Sequence, residues 1–239
     1  MSHHMYANSR GFTIIELLMA MTFVTVLLLV IAMTVIQLSN IYNKGLTMKA
    51  VDQTGRTLSA DLRRTIGVSQ PFSIQNSYKD QRRERDQERS DGGRLCTGVY
   101  TYVWNTGSAI ENPVNTYSLG NEQIRFIRVK DNGGQYCANM NTTIKRDDAT
   151  ELIGNNALGL AIQSFQIFPL DSDPTIGQAL YRIVMEIGTN DQDSIQQDTY
   201  QNTIDTRCKP PSDEDALQDF CAVNKFDFTV QAGNKGGAL

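Results

Sequence analysis

The sequence predicts an α+β protein in which a long N-terminal α-helix packs on an antiparallel β-sheet head. Three observations predict it. Leu17 to Asn43 is a run of 27 residues without a charge. Beyond that run, apolar residues recur at helical spacing and no proline interrupts residues 12–70. After Leu95 the apolar period drops to two, in short runs rich in β-formers.

The first element is the apolar run. Residues 11–40 read GFTIIELLMAMTFVTVLLLVIAMTVIQLSN. A membrane-spanning helix needs about 20 predominantly apolar residues, and a secretory signal has a shorter apolar region of about 7–15. No A-x-A site follows the run, so residues 12–39 are expected to span a membrane rather than to be cleaved away. The helix then continues over residues 40–67. Ile41, Met48, Val51, Leu58, Leu62 and Ile66 recur at spacings of seven, three or four, with Asp52, Arg56, Asp61, Arg63 and Arg64 between them. Pro71 is its natural limit. A helix from Phe12 to Ile66 is roughly 80 Å long, against a hydrocarbon core of about 30 Å. Half of it therefore stands outside the membrane with an apolar stripe that needs a partner.

Residues 68–94 are expected to be a charged linker, centred on KDQRRERDQERSD at 79–91. Residues 95–239 form the head. LCTGVYTYVW at 95–104 reads as a strand, as does QIRFIRVK at 123–130, with Arg125 and Arg128 facing solvent. DNGG at 131–134 is a turn signal that delivers the chain to Cys137. LAIQSFQIF (160–168) and ALYRIVMEI (179–187) are two further strands joined through DSDPTIG, and KFDFTV (225–230) is the last. One sheet of about four to six strands follows, with the outer half of the helix as its cover.

Four cysteines stand behind the apolar segment: Cys96, Cys137, Cys208 and Cys221. None forms a CxxC pair, and an even count favours disulfides in an oxidising compartment. Three pairings exist, of which the sequence-local Cys96–Cys137 and Cys208–Cys221 are favoured. The acidic stretch between the last two cysteines, with Asp213, Glu214, Asp215 and Asp219, reads as a solvated loop. Calcium is the competing reading for those carboxylates, but no EF-hand spacing exists.

Composition excludes several classes. A net charge of −4 with no long basic face makes nucleic acid unnecessary as a partner. The only histidines are His3 and His4, so none serves a catalytic triad or a histidine metal site. No G-x-S-x-G, P-loop or dinucleotide fingerprint appears. The chain is therefore read as a non-enzyme with no cofactor and no metal.

One residue does not fit the apolar run. Glu16 carries a carboxylate into it, and a central membrane carboxylate costs about 2.5–3.5 kcal/mol on insertion scales. A position near the helix start relieves part of that, through headgroup water and the helix dipole. Residues 10–17, Arg-Gly-Phe-Thr-Ile-Ile-Glu-Leu, resemble the N-terminal signature of type IV pilin-like proteins. The resemblance covers about residues 1–66 and implies a pilin-like fold. It implies that residues 1–11 are a leader, cut after Gly11 by a membrane-embedded prepilin peptidase that methylates the new terminus at Phe12. It also implies that Glu16, the fifth mature residue, is needed for filament assembly, where the Phe12 amine of an adjacent subunit meets its carboxylate. The implied partners are other pilin subunits, the peptidase, a membrane assembly platform, and lipid before assembly. The implied location is a cell membrane with the head outside the cytoplasm, then a filament. Size and layout are similar to minor pilins and to the J-type minor pseudopilins of type II secretion. A secretion or DNA-uptake machine, and a membrane-anchored binding domain that never polymerises, stand as alternatives.

If the resemblance holds, mass spectrometry of the mature protein finds Phe12 as the first residue, N-methylated. A mature chain that keeps Met1, or one cut after residue 38, contradicts it.

Overall fold

The long helix forms where the pattern predicts it. The computed structural model describes residues 13–80, 92–110, 119, 123–131, 134–138, 143–154, 159–173, 177–191, 194–200, 203–210 and 220–233. Helix α1 runs Ile14–Val68, 55 residues. The chain divides into two units, Met1–Asn43 and Lys44–Leu239. In the first, every residue from Thr13 to Ser39 is exposed, the large aliphatic side chains included. This stretch is long and apolar enough to cross a membrane. The hydroxyls of Thr22, Thr25 and Thr34 donate to the carbonyls of Met19, Thr22 and Val30, so each is satisfied inside the helix.

In the second unit one face of α1 is buried: Thr47, Val51, Gly55, Leu58, Leu62, Thr65 and Ile66. Ile41 and Met48 share the predicted spacing but are exposed, so the stripe is shorter than expected. Thr47 and Gly55 take inward positions instead, and the lack of a side chain at Gly55 lets the helix backbone come close. At Gly55 an added Cβ would lie 2.0 Å from the Phe226 ring.

The residues assigned to a charged linker carry more structure than that. A short helix α2 (Ile74–Ser77) leads into strand β1 (Tyr78–Asp80), and strand β2 begins at Gly92. Tyr78 explains the ordering, since its hydroxyl donates to the Phe165 carbonyl and its ring lies 6.4 Å from that of Trp104. Residues 81–91 lie outside the described residues.

The single strand expected at 95–104 is two. Strand β2 (Gly92–Cys96) reverses into β3 (Tyr100–Asn105). Thr97 closes the turn, its backbone N–H and its hydroxyl both donating to the Tyr100 carbonyl. Gly98 takes φ 97°, which a residue with a Cβ rarely adopts. Strand β4 (Phe126–Lys130) pairs with β3. After the short helix α3 (Gln135–Ala138), strand β5 (Ala149–Ile153) pairs with β4. The first sheet is antiparallel, in the order β1-β2-β3-β4-β5.

A second sheet holds β6 (Leu160–Asp173), β7 (Gln178–Thr189) and β10 (Val223–Ala232) in the order β10-β7-β6. Between β7 and β10 a two-stranded hairpin, β8 (Ile195–Tyr200) and β9 (Thr203–Cys208), was not expected from the sequence. Among the described residues, three sheets therefore replace the single one predicted. Cys96 is bonded to Cys137 and Cys208 to Cys221, with Cα separations of 6.0 and 5.9 Å. The first bridge ties the end of β2 to α3, across the turn that follows β4.

The two larger sheets share one apolar cluster with α1. Leu58, Leu62 and Ile66 of the helix meet Tyr102, Trp104 and Phe126 of the first sheet and Phe165, Ile183 and Met185 of the second. The Trp104 and Phe165 rings lie 4.8 Å apart. Burying an aliphatic or aromatic side chain of this size stabilises the fold by about 1.5–3 kcal/mol. Val103, Ile127, Val129 and Tyr136 form a second cluster, on the face of the first sheet that alternation turns the other way.

Alternation misread the arginines of β4 and the residue before it. Arg125 is 8% exposed, and its Nη1 donates to the Leu160 carbonyl at 3.1 Å. Arg128 shares the inner face with Phe126 and donates to Asp61 Oδ1 of α1 at 2.5 Å. Asp61 also accepts from the Tyr102 hydroxyl at 2.9 Å, and Arg64 lies 3.3 Å away. A partner charge on the covering helix makes burial of a strand arginine tolerable, and a strand pattern carries no trace of such a partner.

Burial holds the Tyr102 hydroxyl well above the ordinary phenol range, and a hydrogen bond from Thr65 opposes the shift. The folded chain thus keeps a proton that the unfolded chain loses above a pH of about 10. Stability is complete below that pH and falls as pH rises past it, by up to about 1.4 kcal/mol per pH unit for this one group. Denaturant titrations between about pH 9 and 11.5 should show the slope, and Tyr102→Phe should lower it by one proton's worth. An alkaline limb unchanged in Tyr102→Phe would contradict the assignment.

Candidate functional site

The sequence points to the start of the apolar helix, and the local geometry there follows from a four-residue spacing. Thr13-Ile14-Ile15-Glu16 has the T-x-x-E spacing of a capping box at the first turn of α1, with the Glu16 carboxylate held by the Thr13 hydroxyl rather than by its backbone N–H. Thr13 stands just before the helix. Its hydroxyl accepts from the Glu16 backbone N–H at 3.3 Å and donates to Glu16 Oε2 at 3.4 Å. Its carbonyl takes the Leu17 N–H at 3.2 Å. A carboxylate in the first turn also faces the positive end of the helix dipole. Glu16 therefore has a role inside a single chain, and it is exposed, with Ile14, Ile15 and Leu17 exposed beside it. The T-x-x-E spacing is legible in the sequence and names Thr13 as the residue that holds the carboxylate. Gly11 and Phe12, the expected cleavage pair, lie outside the described residues.

The four cysteines are all paired and none is free. Among the described residues, no group of three or more His, Cys, Asp or Glu side chains is placed to hold a metal ion. Asp213, Glu214, Asp215 and Asp219 lie outside the described residues.

Two polar features of the head were not anticipated. The first is the Asp61 cluster described above, with Arg128 17% and Asp61 12% exposed. Its contacts run from helix to sheet, and its chemistry is that of a tie. The second is a groove of about 460 Å³ between α1 and β10, lined by Arg56, Arg63, Lys225, Phe226, Asp227 and Phe228. Arg63 lies over the Phe228 ring at 5.0 Å, a cation–π contact. Arg56 pairs with Asp52 at 2.9 Å, and Asp227 with Arg182 of β7. The Arg182 hydrogen bond lowers the Asp227 carboxyl below its ordinary range, and the same bond raises Arg182. Both are surface groups, so this pair contributes above the carboxylate range and its contribution is lost as pH falls through it.

Thr13→Ala removes the cap and should weaken the first turn by about 1 kcal/mol. Hydrogen exchange on the full chain in detergent micelles is expected to show the Glu16 and Leu17 amides about fivefold faster, with amides beyond Leu29 unchanged. Unchanged exchange at Glu16 would remove the cap assignment. Comparison with protein-family models, with curated proteins and with solved structures finds no match to this chain.

Proposed function

We propose that the chain is a membrane-inserted precursor that matures into a structural subunit, a minor pilin, of a type IV pilus-like filament. The observation that carries the reading is an exposed, uncharged helix surface over residues 17–39 with a carboxylate at its very start. Such a surface needs an apolar environment wherever it sits. Before assembly that environment is lipid. In a filament it is the helices of neighbouring subunits, and a carboxylate carried into that dry bundle needs a counter-charge. Cleavage after Gly11 creates one, the amine of Phe12, and an adjacent subunit supplies it to Glu16. The head, stapled by two disulfides, then stands outside the cytoplasm. Prepilin peptidase, an assembly platform and sibling pilins are the partners this reading requires. A minor pseudopilin of a secretion or DNA-uptake machine is the same reading in another apparatus.

The capping box favours a second reading, a membrane-anchored head that never polymerises. In that case Glu16 serves only to start the helix with Thr13.

Comparing variants at the two residues separates these. Losing one side of a buried ion pair costs about 3–5 kcal/mol, a hundredfold or more in incorporation. Losing the cap costs about 1 kcal/mol, at most about fivefold. Glu16→Ala is thus expected in membranes at normal abundance but depleted at least a hundredfold from sheared filaments. Glu16→Gln should be milder and Thr13→Ala nearly normal. Absence of the wild-type chain from sheared filaments moves the reading to the anchored head, and equal incorporation of Glu16→Ala and Thr13→Ala removes the Glu16 ion pair from assembly.

A further inference from the structure

The β8–β9 hairpin is attached to the head differently from every other strand. Its six pairs, Ile195↔Cys208 through Tyr200↔Thr203, form a sheet of their own. None of its described side chains belongs to either apolar cluster. Strand β9 lies against β6 and β10. Strand β7 alternates, so Ile183, Met185 and Ile187 enter the core while Val184 and Glu186 face the other way. Gln166 and Ser164 of β6 lie on the same outer side, opposite Val184 and Glu186 in the register. All four are buried, Glu186 to 2% exposure, although they belong to no apolar cluster.

Polar ties cross this layer. The Thr206 backbone N–H donates to Glu186 Oε2 at 3.1 Å, and Lys225 Nζ stands 3.8 Å from Glu186 Oε1. At the base of the hairpin the Lys209 N–H donates to the Ser194 carbonyl, which Cys221 Sγ also approaches at 3.5 Å. The covalent tie is Cys208–Cys221, joining the last residue of β9 to the residue two before β10. A polar layer gives little net stabilisation on closing, because water satisfies the same groups when it opens. A hairpin held this way depends on its covalent tie more than a strand of the apolar core does.

We propose that the β8–β9 hairpin is a strap latched by Cys208–Cys221: with the bond intact it covers the outer face of the three-stranded sheet, and reduction releases it while both apolar clusters persist. Opening presents Gln166, Val184 and Glu186 as a new, largely polar surface. A dithiol reductant carries out the step. Its thiolate attacks Sγ of the half-buried Cys208 and displaces Cys221 as a thiolate, which takes up a proton. The reductant's second thiol then displaces Cys208 and closes the reductant into its own cyclic disulfide. Two electrons and two protons pass to the cysteine pair.

The test is hydrogen exchange, read by mass spectrometry, on the full chain in detergent micelles. It compares the oxidised protein, the same protein treated with dithiothreitol, and a Cys208→Ser/Cys221→Ser variant that keeps Cys96–Cys137. In the variant, amides of residues 195–200 and 203–208 are expected to exchange at least threefold faster, with β3, β4, β6 and β7 within threefold of wild type. Dithiothreitol should give the same pattern in the hairpin. Glu186→Gln, with the disulfide intact, should give a smaller rise confined to the same amides. Hairpin exchange within threefold of the oxidised protein in the variant would overturn the latch. So would a loss of protection that spreads through β6 and β7, because the hairpin would then not open by itself.

Discussion

The second unit depends on one face of one helix. Val51, Leu58, Leu62 and Ile66 of α1 are each 0–1% exposed and enter the same apolar cluster as the inner faces of two separate sheets. Neither sheet closes on itself. The first presents Tyr102, Trp104 and Phe126 inward, and the second presents Phe165, Ile183 and Met185. Each sheet needs something to cover these side chains, and the helix and the opposite sheet do so together. The close approach is possible because Gly55 has no side chain, which leaves room for the Phe226 ring.

A charged tie sits at the edge of that apolar contact. Asp61 of α1 takes hydrogen bonds from Arg128 and Tyr102, residues on neighbouring strands of the first sheet. A partly buried carboxylate that bonds two strands fixes how the helix lies along them, because a slide of the helix would break both bonds at once. Apolar burial tolerates small sliding and this bond set does not. The tie therefore gives specificity of packing, while the cluster of Leu58, Leu62, Trp104 and Phe165 gives most of the stabilisation.

The same helix meets different demands along its length. From Leu17 to Ser39 it shows apolar side chains on all sides, and the hydroxyls of Thr22, Thr25 and Thr34 turn back to its own carbonyls. From Thr47 onward only one face is buried and the other is charged. In the proposed filament the first part serves contacts between chains and the second holds the head of its own chain. Glu16 stands where both demands meet, since the capping box uses it within the chain and the proposed assembly uses it between chains.

The α+β class, the extent of the helix, the membrane-length apolar run and the strands near 123–130, 160–168, 179–187 and 225–230 were all legible in the sequence. They rest on local periodicity, which a chain carries whatever it packs against. The T-x-x-E cap was legible too, because a cap is a contact between residues three apart. What only the tertiary structure decided involves partners distant in sequence. Arg125 and Arg128 read as solvent-facing, yet the Leu160 carbonyl and Asp61 take them in. Ile41 and Met48 continue the helical spacing, yet they remain exposed while Thr47 and Gly55 are covered. The division of the strands among three sheets, and the hairpin Ile195–Cys208 over a buried Glu186, likewise arise from what lies opposite each strand. Polar strands such as IQQDTY carry no apolar alternation, and they pair here because a backbone ladder, a disulfide and a polar face are brought together by the fold.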